Sequence, residues 1–128
     1  MKDLGLLIIR LGLGGSMMVH GYPKLFNPDK WEWLGSQMVH VGVNFAPEVF
    51  GFLAGFAEFF GGLFLVLGVF YIPSCLMLAF TMVVATMYHL NEDDGYNQIS
   101  HSLELLIIFI GLCFTGAGKM SLGKKRSK

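Results

Sequence analysis

Residues 46–69 read APEVFGFLAGFAEFFGGLFLVLGV. A helix rises about 1.5 Å per residue, so this run can cross a hydrocarbon core that takes about 20 residues. Projected at about 100° per residue, Gly51, Ala54, Gly55, Glu58, Gly61, Gly62, Leu65 and Gly68 share one side. Phe52, Phe56, Phe59, Phe60 and Phe64 lie on the others. Small residues let helix backbones approach closely in lipid. The glycine side is therefore expected to face a bundle and the phenylalanines lipid. Gly51 and Gly55 form a GxxxG, common in membrane helices. The carboxylate of Glu58 inside the stripe is what makes it informative.

Three further apolar runs, roughly 4–22, 72–90 and 99–118, meet the same length. Hydrocarbon cannot satisfy open backbone groups, and the runs are uniformly apolar rather than alternating, so helices are expected and a β-barrel is not. The fold class is all-α: one polytopic membrane domain over 1–128, a four-transmembrane-helix bundle. Composition agrees. The chain is 54% hydrophobic and 14% charged, where soluble domains are about 25% charged. Lys+Arg and Asp+Glu are both 9, which excludes the basic footprint of a nucleic-acid binder. Abundant apolar residues exclude disorder. Cys75 and Cys113 are far apart and form no CxxC, so spacing indicates neither a disulfide scaffold nor a dithiol. They are expected to be small packing residues. The first run is read as a retained span, because Arg10 interrupts it and no cleavage site follows clearly.

Lysine and arginine in the flanks set the expected orientation. Lys2 and the basic tail 119–128 (Lys119, Lys124, Lys125, Arg126, Lys128) oppose only Lys24 and Lys30. Both termini are expected in the cytoplasm, with the loop Glu92-Asp93-Asp94 outside. Between the first two spans, Asn27 can cap a helix starting at Pro28. Trp31, Leu34, Met38 and Val41 then share one side, predicting an amphipathic interfacial helix over 28–42. It is either a plain anchor or a lid over a site.

Ionisable residues inside spans usually pair within the bundle. Glu58 lies about 15 Å from the outer end of its helix and Arg10 about 9 Å from the inner end of its own. A depth difference of about 6–7 Å predicts an Arg10–Glu58 ion pair. Topology also brings His20, His89 and His101 to one depth near the outer face, with Glu104 one turn deeper. His40 belongs to the interfacial segment. Histidines beside carboxylates pass protons near neutrality, which quinone chemistry needs. The same groups read more simply as solvated boundary residues. His20, His89, His101 and Glu104 are an alternative metal set, and a bis-histidine haem from His89 and His101 is the weakest variant. No nucleotide-binding motif occurs.

Arg10-Leu-Gly-Leu-Gly followed by His20-Gly21-x-x-Lys24-Leu25 resembles the opening of the DoxX family. Glu58-x-x-Gly61-Gly62-x-x-Leu65-x-x-Gly68 resembles its second-helix motif. His89, His101-x-x-Glu104-Leu105 and Gly116-x-Gly118-x-x-Ser121-Leu122 are similar to it as well. Gly123 departs, where many relatives carry Asp. The resemblance implies a four-helix protein of the bacterial cytoplasmic membrane. Family members are described as oxidoreductases, some linked to a thiosulfate:quinone activity and others to complexes handling oxidative and thiol stress. Many have no assigned activity.

The reading that follows is a quinone-linked oxidoreductase subunit. Glu58, His89, His101 and Glu104 are the candidate catalytic residues. Arg10, His20, Lys24 and Glu58 are the candidate quinone pocket, with Arg10 and Glu58 at its floor. The cofactor itself is open: quinone first, haem or a metal ion after it. The expected partners are the lipid bilayer, a soluble or membrane redox protein, and a second copy of the chain. Two alternatives stand beside this reading. One is a non-catalytic membrane anchor or assembly subunit of a redox complex. The other is a protein that binds or transports a small solute or metal ion.

Overall fold

A computed structural model describes residues 1–92 and 95–122. Asp93 and Asp94 of the expected outer loop, Gly123, and the tail residues Lys124, Lys125, Arg126 and Lys128 lie outside the described residues. The described residues contain four helices long and apolar enough to cross a membrane. They are α1 (Lys2–Leu25), α3 (Pro47–Leu67), α4 (Tyr71–Asn91) and α5 (Tyr96–Thr115). A short helix α2 (Trp31–Ser36) lies between α1 and α3. The molecule is thus the expected all-helical membrane bundle.

The spans run alternately up and down. α3 packs between α1 and α4, and α5 packs on α4. Leu6, Met17, Leu65, Cys75, Leu78, Met82, Phe109 and Leu112 close the core between them. Large apolar side chains such as Ile8, Val19, Leu76, Ile107 and Phe114 point outward, as lipid rather than water is their solvent.

The glycine stripe meets its partners as expected. Gly51, Gly55, Glu58, Gly61, Gly62 and Leu65 are all buried, while Phe52 and Phe56 are exposed. A Cβ on Gly62 would stand 2.5 Å from the Gly14 carbonyl oxygen, and one on Gly14 2.5 Å from the Gly62 oxygen. Two backbones in such contact admit no side chain, which is why both positions are glycine.

The interfacial segment is not one helix. It comprises a 3-10 turn over Pro28–Lys30, then α2, then a second 3-10 stretch over Gln37–Val41. Pro28 does open it, but Asn27 makes no side-chain cap bond. Trp31, Leu34, Met38 and Val41 are each half-buried, so the amphipathic face persists through the breaks. The segment lies on α3, where Gly35 abuts the backbone of Pro47 and Gly51 that of Trp31. We call this the roof end of the bundle.

The opposite end is organised by Arg10, which is 1% exposed. A helix leaves its last four carbonyls without intrahelical partners, and those of α3 are all accounted for. Phe64 O accepts from the N–H of Gly68, at φ 77°. Leu65 O accepts from Arg10 Nε at 3.0 Å and Val66 O from Nη2 at 2.9 Å. Leu67 O accepts from the Leu122 N–H at 2.9 Å. Arg10 Nη1 also donates to Ala117 O and Met120 O, at 3.2 and 2.7 Å. One guanidinium, at the negative end of the α3 dipole, thus ties α1, α3 and the segment after α5 together. α5 stops at Thr115 because Gly116 turns the chain at φ 79°.

Candidate functional site

The expected Arg10–Glu58 ion pair does not form. The glycine contacts show why. Gly21 stands against Glu58 and Phe59, and Gly14 against Gly62 and Val66. This antiparallel register sets Arg10 level with Val66 to Gly68, about 12–15 Å along the bundle from Glu58. Inferring depth from the assumed ends of the spans placed the two too close together. Helical carbonyls meet the guanidinium's needs instead.

The partner of Glu58 is Lys24. Its Nζ donates to both carboxylate oxygens at 2.9 Å. The Glu58 side chain is 5% exposed and that of Lys24 34%, so a nearly dry carboxylate meets a cation that keeps some access. Lys24 starts about one turn nearer the roof and bends inward. Two glycines allow this. A Cβ on Gly21 would lie 2.5 Å from Phe59 N, and one on Gly55 2.7 Å from Leu25 N. The roof holds the pair from above, as Trp31 Nε1 donates to the Lys24 carbonyl at 2.9 Å.

The pair forms part of the wall of a cavity of about 780 Å³ between α3 and α4. Ala57 and Val84 supply apolar walls together with the exposed Leu53, Leu76 and Phe80, so the space opens toward lipid, and Trp33, Leu34 and Met38 line its roof side. His89 lines the same space at the roof end of α4 and is half-buried. Tyr88 joins roof to bundle, its ring 5.7 Å from Trp33, 6.2 Å from His40 and 5.2 Å from His89. An apolar cleft of this size with a few converging polar groups is the common form of a small-molecule site.

The other candidates lie elsewhere. His20 and His101 are exposed and meet each other, rings 6.3 Å apart, where α1 passes α5. Glu104 is exposed on α5. Arg10 sits at the opposite end and is no floor to this cavity. The topology therefore brings Lys24, Glu58 and His89 to one space and leaves His20, His101 and Glu104 outside it. Among the described residues, no three His, Cys, Asp or Glu side chains group to hold a metal ion. The metal set His20, His89, His101 and Glu104 is therefore not assembled.

Sequence reasoning missed that Lys24 is the counter-ion of Glu58. It also missed Trp33 and Tyr88 as lining groups. Gly21 and Gly55 carried a signal, since a glycine on each helix marks the crossing at which a neighbouring side chain can reach across.

A family model described as DoxX matches residues 5–90. The match spans α1, the roof, α3 and most of α4, so it includes Lys24, Glu58 and His89 and stops short of His101 and Glu104. No curated protein and no solved structure matches significantly. With two thirds of its length under that match, the chain belongs to the DoxX family.

Proposed function

We propose that this membrane protein is a quinone-linked redox subunit that takes the quinone head into the cavity between α3 and α4. The observation that carries the reading is the mixed character of that cavity. Its walls are almost wholly apolar, and the Lys24–Glu58 pair and His89 are set into them. A quinone ring needs flat apolar walls, a donor to a carbonyl oxygen and a group that exchanges protons. Lys24 Nζ, already directed inward, is the donor. Glu58, whose two oxygens lie 2.9 Å from that nitrogen, gives or takes the proton. His89 carries it toward the roof end, since one imidazole nitrogen can accept a proton while the other donates one. A bound quinone supplies a two-electron, two-proton couple, and the electrons come from or go to a partner protein.

Trp33 lines the cavity and serves as the reporter. Short-chain ubiquinone and menaquinone analogues are expected to quench its fluorescence saturably in purified protein. Lys24→Met and Glu58→Gln are each expected to weaken binding about tenfold, equivalent to about 1.4 kcal/mol. Absence of saturable quenching with both analogues would refute the reading, as would unchanged affinity in both variants.

A further inference from the structure

Thr86 on α4 and Ser102 on α5 share a hydrogen bond of 2.8 Å between their hydroxyl oxygens. This bond marks the antiparallel register of the two helices. Moving away from it in strides of four, three and four residues, α4 presents Met82, Ala79 and Cys75. The same strides along α5 present Leu106, Phe109 and Cys113. The eleven residues from Thr86 to Cys75, and from Ser102 to Cys113, are about three helical turns. Each cysteine thus stands on the face of its helix that carries the bond. Both helices rise equally, so the two thiols arrive at one level.

Burial agrees with this ladder. Met82, Ala79, Cys75 and Phe109 belong to one core cluster, with Leu106 and Cys113 packed against it. The Cys75 thiol has the Cys113 thiol and the Tyr71 hydroxyl as polar neighbours. Cys75 is wholly buried, Cys113 is half-buried, and both are free thiols. The thirty-seven residues between them hid the pair from spacing rules, which indicated only packing residues.

We propose that Cys75 and Cys113 form a dithiol that a small hydroperoxide converts to an intramolecular disulfide joining α4 to α5. Cys113 reacts first, because it alone has access. Its sulfur bonds to the terminal peroxide oxygen, the O–O bond breaks, and an alcohol leaves with the thiol proton. The sulfur of Cys75 then attacks the resulting sulfenic acid. An S–S bond forms, the S–O bond breaks, and water leaves with the second thiol proton. Two thiols lose two electrons and two hydrogens, and the peroxide is reduced to alcohol and water. The crosslink locks the last turn of α5 to the first turns of α4, at the end that Arg10 ties.

The test treats the purified full chain with tert-butyl hydroperoxide, which is uncharged and lipid-soluble. Free thiols are then counted after denaturation with a mass-tagging maleimide. Both thiols are expected to disappear together in a monomeric chain and to return with dithiothreitol. In Cys75→Ser the sulfenic acid on Cys113 has no resolving thiol, and it is expected to trap severalfold more dimedone than the parent does. Cys75→Ala gives the same readout should serine disturb the packing. Four results would overturn the proposal. They are loss of one thiol without the other, crosslinking only between chains, equal dimedone capture in parent and variant, and survival of both thiols under oxidant that consumes glutathione.

Discussion

Replacing Arg10 with methionine removes the group that closes the tail end of the bundle. Its four hydrogen bonds, to the carbonyls of Leu65, Val66, Ala117 and Met120, span 2.7–3.2 Å. A bond from a charged donor contributes about 1.5–3 kcal/mol net of the water bonds it replaces, so four set an upper bound of roughly 6–12 kcal/mol. The expected net loss for Arg10→Met is about 3–5 kcal/mol, because buried carbonyls left without their donor cost about 1–3 kcal/mol each, while methionine has no charge to desolvate. Arg10→Lys keeps the charge but has no planar fork, and is expected to lie between the two.

Unfolding in mixed micelles of rising denaturing-detergent fraction gives the free energies. In a Cys113→Ala background a thiol-reactive fluorophore reports the transition, since Cys75 is 0% exposed in the folded chain. The decisive comparison is a double-mutant cycle of Arg10→Met with Glu58→Gln. Sites farther apart than about 10 Å add to within about 0.5 kcal/mol, and these two stand well beyond that. A coupling above about 1 kcal/mol would show that Arg10 and Glu58 do interact. That result, or a parent-like midpoint for Arg10→Met, would refute the account of the tail end.

Two other perturbations probe the packing. Gly14→Val forces a side chain into the Gly62 and Val66 backbone and is expected to cost about 1–3 kcal/mol. Gly12→Ala, on the same helix with nothing within 4 Å of its Cβ, should gain up to about 1 kcal/mol from helix propensity. The same micelle titration reads both, and equal effects would contradict the assigned crossing. Ser74 is 1% exposed and its hydroxyl has no hydrogen-bond partner among the described residues. Ser74→Ala is expected to raise stability by about 1 kcal/mol, and a clear loss would mean that the hydroxyl is engaged.

The four spans were legible in the sequence because hydrocarbon permits only internally bonded backbone. Long apolar runs therefore have one outcome. The inward side of α3 was legible for a related reason. Gly51, Gly55, Gly61 and Gly62 fall on one face by helical period alone, and lipid contact gives glycine no advantage there. The same face singled out Glu58, and the family resemblance singled out Lys24.

Which ionisable groups meet was not legible. Pairing depends on the register between helices that are distant in sequence. That register is set by backbone contacts such as Gly14 with Gly62 and Gly21 with Glu58, each the sum of many small packing terms. Shifting it by two turns exchanges one plausible partner for another, and Glu58 finds Lys24 rather than Arg10. The same dependence hid the facing thiols of Cys75 and Cys113 and parted His89 from His20 and His101. Sequence by itself determined what each helix buries; the tertiary structure alone decided which buried groups share a level, because depth in a bundle is a property of pairs of helices and not of any one of them.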